Sequence, residues 1–258
     1  MEGNAVVEAI TFDLWGTLIR ETPESARKIK EARTRNLYIL LQAQGYPGTL
    51  EEVEAAYEHV GGRLQAIWSR HEDVGPEGQV QLLLETLDSA WKAPQDRMLL
   101  ANLEWAYVSP VLKALPVLNP GAAELLNGLR GQYRLGLICN TGRTPGTMLK
   151  IVLQRLGILD HFDVLTFSDV LGIRKPDPQI FHLTLEQLEV SADRALHVGD
   201  DPSTDVLGAR RVGMWAVLLG SPAISAPEDE GVRAVQALEE LPGVLGQVTL
   251  RDQSVQGS

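Results

Sequence analysis

Polar residues that can act on a small molecule follow short apolar runs at four places in this chain. The first place offers a carboxylate, the second an amide, the third a lysine and the fourth a group of carboxylates. The segments are Asp13-Leu14-Trp15-Gly16-Thr17, Asn140-Thr141-Gly142-Arg143, Arg174-Lys175-Pro176-Asp177, and Gly199-Asp200-Asp201 with Asp205 beyond. Because ligands of an open parallel sheet bind beyond the carboxyl ends of its strands, we expect the four segments to meet at one edge.

The carboxylates of these segments need compensating positive charge, because unpaired charges that leave water are strongly unfavourable. The compensation that we identify is the amine of Lys175 together with a divalent metal ion. Oxygen ligands in this number, without His or Cys converging on them, suit Mg²⁺, which keeps several waters and often shares its shell with substrate phosphate. We therefore predict a Mg²⁺ cofactor at this edge.

The elements that must position these segments are strands and the helices between them. Five runs are almost continuously apolar, as strands covered on both faces are. They are Val6–Phe12, Leu135–Cys139, Val164–Phe167, Ala195–Val198 and Trp215–Leu219. Helices between the last four runs are predicted to begin at Thr144-Pro145, Asp177-Pro178 and Asp201-Pro202 and to end near Gly157 and Gly213. This alternation predicts an α/β fold with a doubly wound, Rossmann-like parallel sheet.

The stretch from about residue 20 to residue 111 shows helical periodicity and no convincing strand. The predicted helices are Ile29–Leu41, Leu50–Ser69, Val80–Trp91 and Met98–Val108, with breaks at residues 45–48, 75–78 and 93–94. We therefore predict an α/β core of residues 1–19 and 112–258 and an inserted all-helical cap domain of residues 20–111. The polar stretch from Thr249 onward is expected to be frayed.

Composition excludes several classes of protein. A net charge of −11 over 258 residues disfavours general attraction to nucleic acid, and the single cysteine, Cys139, excludes an intramolecular disulfide and a Cys-rich zinc site. No apolar stretch approaches the about 20 residues that span a bilayer, and the start Met1-Glu2-Gly3-Asn4 is acidic. We expect a cytoplasmic protein, monomer or homodimer, that binds a small-molecule substrate and neither nucleic acid nor membrane.

Together, the four segments resemble those of the haloacid dehalogenase superfamily of hydrolases, in the subgroup whose helical cap follows the first segment. The resemblance runs from about Val6 to Gly220. It implies that Asp13 is the nucleophile that forms a covalent aspartyl intermediate and that Lys175 neutralises it and the transferring group. It also implies that Asp200, Asp13 and the backbone carbonyl of Trp15 bind Mg²⁺.

The resemblance assigns further residues around this centre. Asp201 and Asp205 are expected to hold metal waters or to orient Lys175, with Asp201 counted among the metal ligands and Asp205 among the catalytic residues. Substrate-binding positions are expected at Gly16, Thr17, Asn140 and Thr141. An aspartate that directly precedes a proline is also a good helix N-cap. A cap is the favoured interpretation for Asp177 and an equal alternative for Asp201.

Two positions depart from the family's pattern. Typical phosphatases of the family carry a second aspartate two residues after the nucleophile, where this chain has Trp15, whose indole has no useful acid–base titration. Alkyl phosphates should then be poor substrates unless the leaving group needs no proton, the substrate supplies one, or another residue acts. Cys139 stands where a hydroxyl is usual. We interpret it as a buried strand-end residue, with Thr141 as a candidate for the missing hydroxyl.

Three functions follow from these observations. The leading hypothesis is a Mg²⁺-dependent phosphatase of a small phosphorylated metabolite. The alternative is a 2-haloacid dehalogenase, because that branch also has an aromatic residue at the position of Trp15. The acidic Asp200 favours phosphoryl chemistry, since the dehalogenases tend to be neutral there and use no metal. A weakly active or non-catalytic binding protein is the third possibility.

The predicted cap domain contains aromatic and basic residues without a motif. We interpret Tyr57, Trp68, Trp91 and Trp105 as packing residues, and Arg20, Arg27, Arg33 and Arg35 as a solvated basic face in preference to substrate ligands. The pair Gly61-Gly62 indicates either a kink or close packing in the second cap helix, and both alternatives stay open.

Overall fold

A six-stranded parallel sheet organises the computed structural model, which describes residues 7–87, 91, 96–220 and 230–254. A separate two-stranded antiparallel ribbon pairs β2 with β3. The strands in chain order are β1 (Ala9–Phe12), β2 (Ile19–Arg20), β3 (Val117–Leu118), β4 (Arg134–Cys139), β5 (Val164–Phe167), β6 (Ala195–Gly199), β7 (Trp215–Leu219) and β8 (Val232–Val235).

The sheet order is β5-β4-β1-β6-β7-β8, so β1 lies at its centre, where the chain order reverses. The last residue of β1, Phe12, is in register with Leu137 on one side and Val198 on the other. The next residue, Asp13, continues the ladder by donating its N–H to the Val198 carbonyl at 2.8 Å. The sheet thus places the end of β1 at the crevice where ligands of doubly wound folds bind.

Ten α-helices surround the sheets in the described residues. The first four, α1 to α4, lie between β2 and β3 in the chain, and we call them the helical insert. The helices are α1 (Pro23–Ala43), α2 (Leu50–Trp68), α3 (Pro76–Leu87), α4 (Arg97–Val108), α5 (Ala122–Leu129), α6 (Gly146–Arg155), α7 (Ser168–Leu171), α8 (Pro178–Leu188), α9 (Leu207–Arg211) and α10 (Leu241–Ser254). Residues Pro202–Val206 form a π-helical turn before α9.

Local sequence explains where the insert's long helices begin. Thr22 and Thr49 both form capping boxes, in which the threonine oxygen accepts from the third helical N–H and the residue there, Ser25 or Glu52, bonds back. Their apolar faces join a hydrophobic cluster that extends to the sheet, through residues such as Leu37 and Leu64. None of the described helices is both long and apolar enough to cross a membrane.

All five predicted strands are present, although the first is shorter and its Val6 lies outside the described residues. Three strands are missing from the prediction. β8 contains Arg233 and so interrupts the apolar pattern, while β2 and β3 are only two residues long and carry no periodicity. The parallel α/β sheet itself is as predicted. The boundaries of core and cap domains at residues 20 and 111 stay a prediction.

Most of the predicted helix signals are confirmed. Asp177 caps α8 by accepting from Gln179 N, and Gly157 and Gly213 follow α6 and α9 with positive φ. The prediction at Thr144-Pro145 is wrong: Pro145 is itself the N-cap of α6, and the Thr144 hydroxyl accepts from Arg33 Nη2 instead.

Two predicted boundaries also differ, and a third is only partly described. The break predicted at residues 75–78 ends at Gly75, because α3 already begins at Pro76, and proline is tolerated in the first helical turn. The end of the predicted helix Val80–Trp91 lies partly outside the described residues, as do Ala93 and Pro94. The tail from Thr249 is helical as far as Ser254, in α10, so fraying there was wrongly predicted; residues 255–258 lie outside the described range.

Candidate active site

Lys175 lies between two buried carboxylates at the carboxyl edge of the sheet. Its Nζ is 2.6 Å from Asp13 Oδ1 and 2.6 Å from Asp205 Oδ1. The three residues are almost excluded from solvent, with exposed fractions of 2% for Lys175, 6% for Asp13 and 1% for Asp205. One ammonium group is therefore shared by two carboxylates, which leaves this buried group one negative charge in excess.

Backbone geometry brings the carboxylates this close. Asp13 follows β1 directly, and Asp205 lies in the π-helical turn after β6. A Cβ at Gly199 would lie 2.2 Å from Asp205 Cγ, so glycine is required where β6 ends. Asp205 Oδ2 also accepts from the N–H of Asp201 at 3.1 Å, which fixes the carboxylate against the turn.

Burial and charge determine the ionisation of the three groups. Burial raises the pKa of Asp13 to about 7, although Lys175 opposes the shift. Burial also favours the neutral form of Lys175, but Asp13 and Asp205 outweigh it and the pKa of Lys175 is raised overall. Asp205 is buried too, yet Lys175 and His197 hold its pKa well below the usual range. Of the two carboxylates, Asp13 is therefore the one whose negative charge Lys175 compensates less well.

Asp200 completes an acidic triad with Asp13 and Asp205. One ligand oxygen from each residue lies within 4.8 Å of the others. Asp200 is exposed, and its Oδ1 accepts a long 3.4 Å hydrogen bond from the Thr17 hydroxyl. The residue as a whole is exposed, but its carboxyl is partly buried, and this burial is the largest cause of its raised pKa, followed by the charge of Asp205.

This triad fits a hard divalent cation. Asp13 Oδ2 is buried and has no hydrogen-bond partner among the described residues, which is costly unless a ligand supplies one. Three carboxylates with an unpartnered oxygen among them are the donors that Mg²⁺ takes. Room for Asp200 depends on Gly16, because a Cβ there would lie 2.2 Å from Asp200 Oδ2.

The expected substrate-binding residues have other partners in the structure. Gly16 and Thr17 both lie against Asp200. Asn140 is hydrogen-bonded to the main chain of Lys175, with Nδ2 donating to the carbonyl at 3.1 Å and Oδ1 accepting from the N–H at 2.9 Å. The N–H of Thr141 donates to Ser168 Oγ at 2.9 Å.

Asp201 is the expected metal ligand that lies outside the triad. Its Oδ1 accepts from Ser203 N, Ser203 Oγ and Thr204 N, which makes it the N-cap of the π-helical turn. Trp15 is half-buried and lines a cavity next to Gly16. Cys139 is the last residue of β4 and fully buried, as interpreted from the sequence, and burial raises the pKa of its thiol.

His197 is a site residue that the sequence analysis missed. It lies inside β6, where its Nε2 is 3.3 Å from Asp205 Oδ1 and its Nδ1 is 2.8 Å from Thr11 Oγ1. Burial lowers its pKa, so the neutral ring with its proton on Nε2 donates to Asp205 and accepts from Thr11. The available signal was a lone histidine within an apolar run, directly before Val198-Gly199-Asp200.

A second polar network joins the insert to the sheet beside Lys175. Asp73, which follows α2, accepts from Ser168 Oγ at 2.5 Å and from Arg174 Nη1 at 2.8 Å. The guanidinium of Arg174 lies 4.5 Å from the ring centroid of Trp68. Trp68 therefore packs, as interpreted, but against a cation that neighbours the site.

A cavity of about 490 Å³ opens beside Trp15 and Gly16, between the insert and the loop after β4. Its walls include Tyr57 and Arg33, which the sequence analysis interpreted as a packing residue and as part of a solvated face. The interpretation of Arg33 is wrong, because it is only 5% exposed and bonds to the carbonyls of Tyr107 and Arg143.

The other residues that the sequence left without a motif divide as follows. Arg20, Arg27 and Arg35 are exposed, in agreement with a solvated face. Trp91 contacts the edge of the Tyr46 ring, as a packing residue does. Trp105 is wrongly interpreted as packing, because it is 57% exposed.

Comparisons with known proteins agree with this architecture. Residues 7–213 match the family model described as haloacid dehalogenase-like hydrolase. Over 216 residues the chain is 31% identical to the glyceraldehyde 3-phosphate phosphatase of Pyrococcus abyssi, which covers 82% of this chain and 81% of that protein. It is 34% identical to the pyrimidine 5′-nucleotidase YjjG of Escherichia coli over 128 residues, 49% of this chain and 56% of that one.

A solved structure shows the same fold at lower identity. The 2-haloacid dehalogenase from Pseudomonas syringae pv. Tomato DC3000 superposes with a TM-score of 0.67 and 24% identity, over 94% of this chain and 99% of that chain. The family match spans most of the chain and includes Asp13, Asn140, Lys175 and Asp200. With its parallel sheet and the acidic centre around Lys175, this chain belongs to the haloacid dehalogenase-like hydrolases.

Proposed function

We propose that this protein is a Mg²⁺-dependent phosphatase of a small phosphorylated metabolite and that Asp13 is its nucleophile. The observation that carries the proposal is the asymmetry of the Asp13 carboxylate. Its Oδ1 pairs with Lys175 at 2.6 Å, whereas its buried Oδ2 has no partner among the described residues. A carboxylate that is held at one oxygen and free at the other is oriented to react with an electrophile.

In the proposed reaction, a carboxylate oxygen of Asp13 attacks phosphorus and the bond from phosphorus to the leaving-group oxygen breaks. Water then attacks the phosphorus of the aspartyl phosphate, which releases inorganic phosphate and restores the carboxylate. Lys175, held by Asp205 as well as by Asp13, offsets the negative charge that gathers on the transferring group. Asn140 fixes the backbone from which Lys175 extends.

The residues that would hold the metal are Asp13, Asp200 and the backbone carbonyl of Trp15, with Asp205 and Asp201 beside them. Both Asp205 oxygens and one Asp201 oxygen already accept hydrogen bonds, which favours contact through water for these two residues. Bound there, Mg²⁺ supplies positive charge against the phosphate oxygens.

Trp15 limits the leaving groups that this site can expel. Among the described residues, the one carboxylate that lines the cavity beside Trp15 belongs to the exposed Glu21. The chain neighbours of Trp15, Leu14 and Gly16, have no titratable side chain. Without a positioned general acid, the departure of an alkoxide is slower by a factor of about 10²–10⁴ than with one. The proposed substrates therefore have good leaving groups, such as acyl phosphates, or carry their own proton donor.

Relatives named as phosphatases support this proposal over dehalogenation. The glyceraldehyde 3-phosphate phosphatase of Pyrococcus abyssi is similar over four-fifths of both chains. A C–halogen hydrolase remains the second candidate, because an aromatic residue at position 15 suits halide departure, which needs no proton. The acidic triad argues against it, since a free carboxylate cluster offers nothing to a halide.

One assay panel tests the proposal. The substrates are p-nitrophenyl phosphate, acetyl phosphate, a sugar phosphate and 2-chloropropionate, each with Mg²⁺ and with EDTA. We expect metal-dependent phosphate release that disappears in Asp13→Asn and persists in Asp160→Asn, a matched change at an exposed position in the described chain. Metal-independent chloride release would establish the dehalogenase instead. A folded protein that is silent on every substrate would leave only the binding function.

A further inference from the structure

Two guanidinium groups in the wall of the 490 Å³ cavity have no acidic partner. Arg33 comes from α1 and Arg143 from the loop after β4, and both line the cavity. Among the residues that the structure describes, neither forms a salt bridge. Arg33 is buried and Arg143 half-buried, and positive charge that leaves water without a counter-ion is unfavourable, so a site that keeps two such groups is suited to receive negative charge.

Arg143 is held in place but incompletely satisfied. Its guanidinium stacks 3.7 Å from the ring centroid of Tyr57, and Nη2 donates to the Tyr57 carbonyl at 3.0 Å. Its Nη1 is buried and has no hydrogen-bond partner in the described part of the chain. The side chain as a whole is half-buried and lines the cavity, and a rigidly held guanidinium is suited to a planar carboxylate or to phosphate.

Arg33 adds a second charge behind Arg143. Its donors are used by neutral groups: Nε by the Tyr107 carbonyl at 2.8 Å, and Nη2 by Thr144 Oγ1 at 2.9 Å and the Arg143 carbonyl at 3.1 Å. Tyr107 does not supply a counter-charge. Burial raises its pKa to about 12, so it stays a neutral phenol that donates to Gln79.

The remaining charges of the cavity wall are accounted for. Lys30 pairs with Glu58, and Arg20 donates to Asn119 at 2.7 Å. Among the described residues, Glu21 is the one carboxylate of the lining, and it is exposed. With Arg33 and Arg143 included, the described residues of the wall have an excess of positive charge.

Gly61 shows that α2 leaves space for this arrangement. A Cβ at Gly61 would lie 2.7 Å from Arg143 Nη2, whereas one at Gly62 would meet nothing within 4 Å. The helix is continuous through both glycines, so the first of them serves close packing and neither marks a break.

We propose that Arg143, supported by Arg33, binds a second anionic group of the substrate, which is therefore a small phosphomonoester with a carboxylate or a further phosphate at its other end. This inference rests on the proposed phosphatase function and specifies its substrate class. The cavity connects Arg143 to the carboxyl edge of the sheet, where Asp13 lies. Its lining includes Arg143 together with three residues from that edge, Trp15, Gly16 and Asn140.

The kinetic test compares substrates that differ only at the far end. The probes are ethyl phosphate, 2-phosphoglycolate and 1,2-ethanediol bisphosphate, assayed on the wild type, Arg143→Gln and Arg143→Lys. All three release an alkoxide, so the slow departure that we expect beside Trp15 is common to them and cancels in the ratio of kcat/KM values. We expect kcat/KM to favour a substrate with an anionic group at its far end over ethyl phosphate by about tenfold or more, through KM, and Arg143→Gln to remove that preference. Arg143→Lys should keep part of the preference that Arg143→Gln loses, because lysine retains the positive charge. The better of the two doubly anionic probes identifies the group.

Gly61→Ala tests the same contact without removing the charge, which matters if Arg143→Gln folds poorly. The added methyl group displaces the guanidinium, so the preference should fall while the helix keeps its propensity. Gly62→Ala is the matched control in the same helix and should leave the preference unchanged. Equal losses for all three substrates in Arg143→Gln, or a preference that survives both Arg143→Gln and Gly61→Ala, would overturn the proposal.

A binding arm separates this inference from the phosphatase function itself. Calorimetry with phosphonoacetate and methylphosphonate, which are not hydrolysed, measures the second anion without turnover. A wild type that hydrolyses no phosphate but binds phosphonoacetate more tightly, with the difference lost in Arg143→Gln, supports the anion site and contradicts the phosphatase. A wild type that binds the two phosphonates equally, or binds neither, contradicts the anion site.

Discussion

The side chain of Asn140 and the main chain of Lys175 exchange two hydrogen bonds, at 2.9 Å from the Lys175 N–H and 3.1 Å to its carbonyl. This pair joins the loop after β4 to the loop between α7 and α8 and fixes the peptide from which the Lys175 side chain extends. The ammonium group then reaches Asp13 and Asp205 together. Asn140 therefore positions a charge, in addition to lining the cavity.

Replacing Asn140 by Asp should lower kcat/KM by about 10- to 100-fold, because the new carboxylate repels the Lys175 carbonyl and shifts the ammonium group. Phosphate release from acetyl phosphate measures the loss. Asn102→Ala, at an exposed position on α4, is the control and should have wild-type activity. Full activity in Asn140→Asp would show that Lys175 needs no such support.

Lys175→Met should destabilise the protein by about 3–5 kcal/mol at pH 7.5, because it leaves the buried Asp13 and Asp205 without their cation. The loss should be smaller at pH 5.5, where a carboxylate with a raised pKa binds a proton and becomes neutral. Urea unfolding at both pH values measures it, with the exposed Lys113→Met as control. A loss that is equal at the two pH values would contradict the shared ion pair.

Asp13→Asn should stabilise the metal-free protein, and more so as pH rises. The pKa of Asp13 is about 7 in the folded state against 3.8 in a free side chain. Between these values the folded protein holds a proton that the unfolded chain has released, so the free energy of unfolding falls with rising pH. Asn removes this effect.

The gain of Asp13→Asn over the wild type should therefore grow from pH 5 to pH 8, to about 1–4 kcal/mol, since one pKa unit is about 1.4 kcal/mol. Thermal and urea unfolding in EDTA measure it. Asp160→Asn should show no such trend, because that residue is exposed. A gain that shrinks with pH would mean that the Asp13 carboxylate is stabilised by folding.

Trp15→Asp should raise kcat for ethyl phosphate more than for acetyl phosphate. The new carboxyl can protonate an alkoxide, a step that typically contributes about 10²–10⁴ in rate, whereas acetate leaves without a proton. Trp15→Asn is the matched control, because asparagine has the same size as aspartate but no titratable proton. Equal increases on both substrates would show that a missing acid does not limit turnover.

Strands were predictable here because each central strand is covered on both faces and needs an unbroken apolar run. That rule locates β1, β4, β5, β6 and β7 and therefore also the four polar segments at their ends. Of the two edge strands, β5 keeps a mostly apolar run and is located, whereas β8 contains the polar Arg233 and is missed. The two-residue strands bury little and are missed as well.

The partners of the site residues were less predictable, because they come from distant parts of the chain. A basic residue in a helix usually indicates a solvated helix face. Arg33 instead donates hydrogen bonds to the carbonyl of Tyr107 and to the hydroxyl of Thr144. Similarly, His197 looks like one more strand residue until the fold places Asp205 beneath it. Residue type predicts the chemistry of such positions, while only tertiary packing selects their partners.

The bare backbones of Gly16 and Gly199 couple each of these glycines to one acid of the site. A side chain at either position would overlap Asp200 or Asp205, with a Cβ at 2.2 Å in both cases. A substitution at either glycine must therefore displace the acid that the glycine faces. We expect the cost of Gly199→Ala to be smaller in Asp205→Ala than in the wild type, because removal of the carboxylate also removes the overlap, and the same coupling between Gly16 and Asp200.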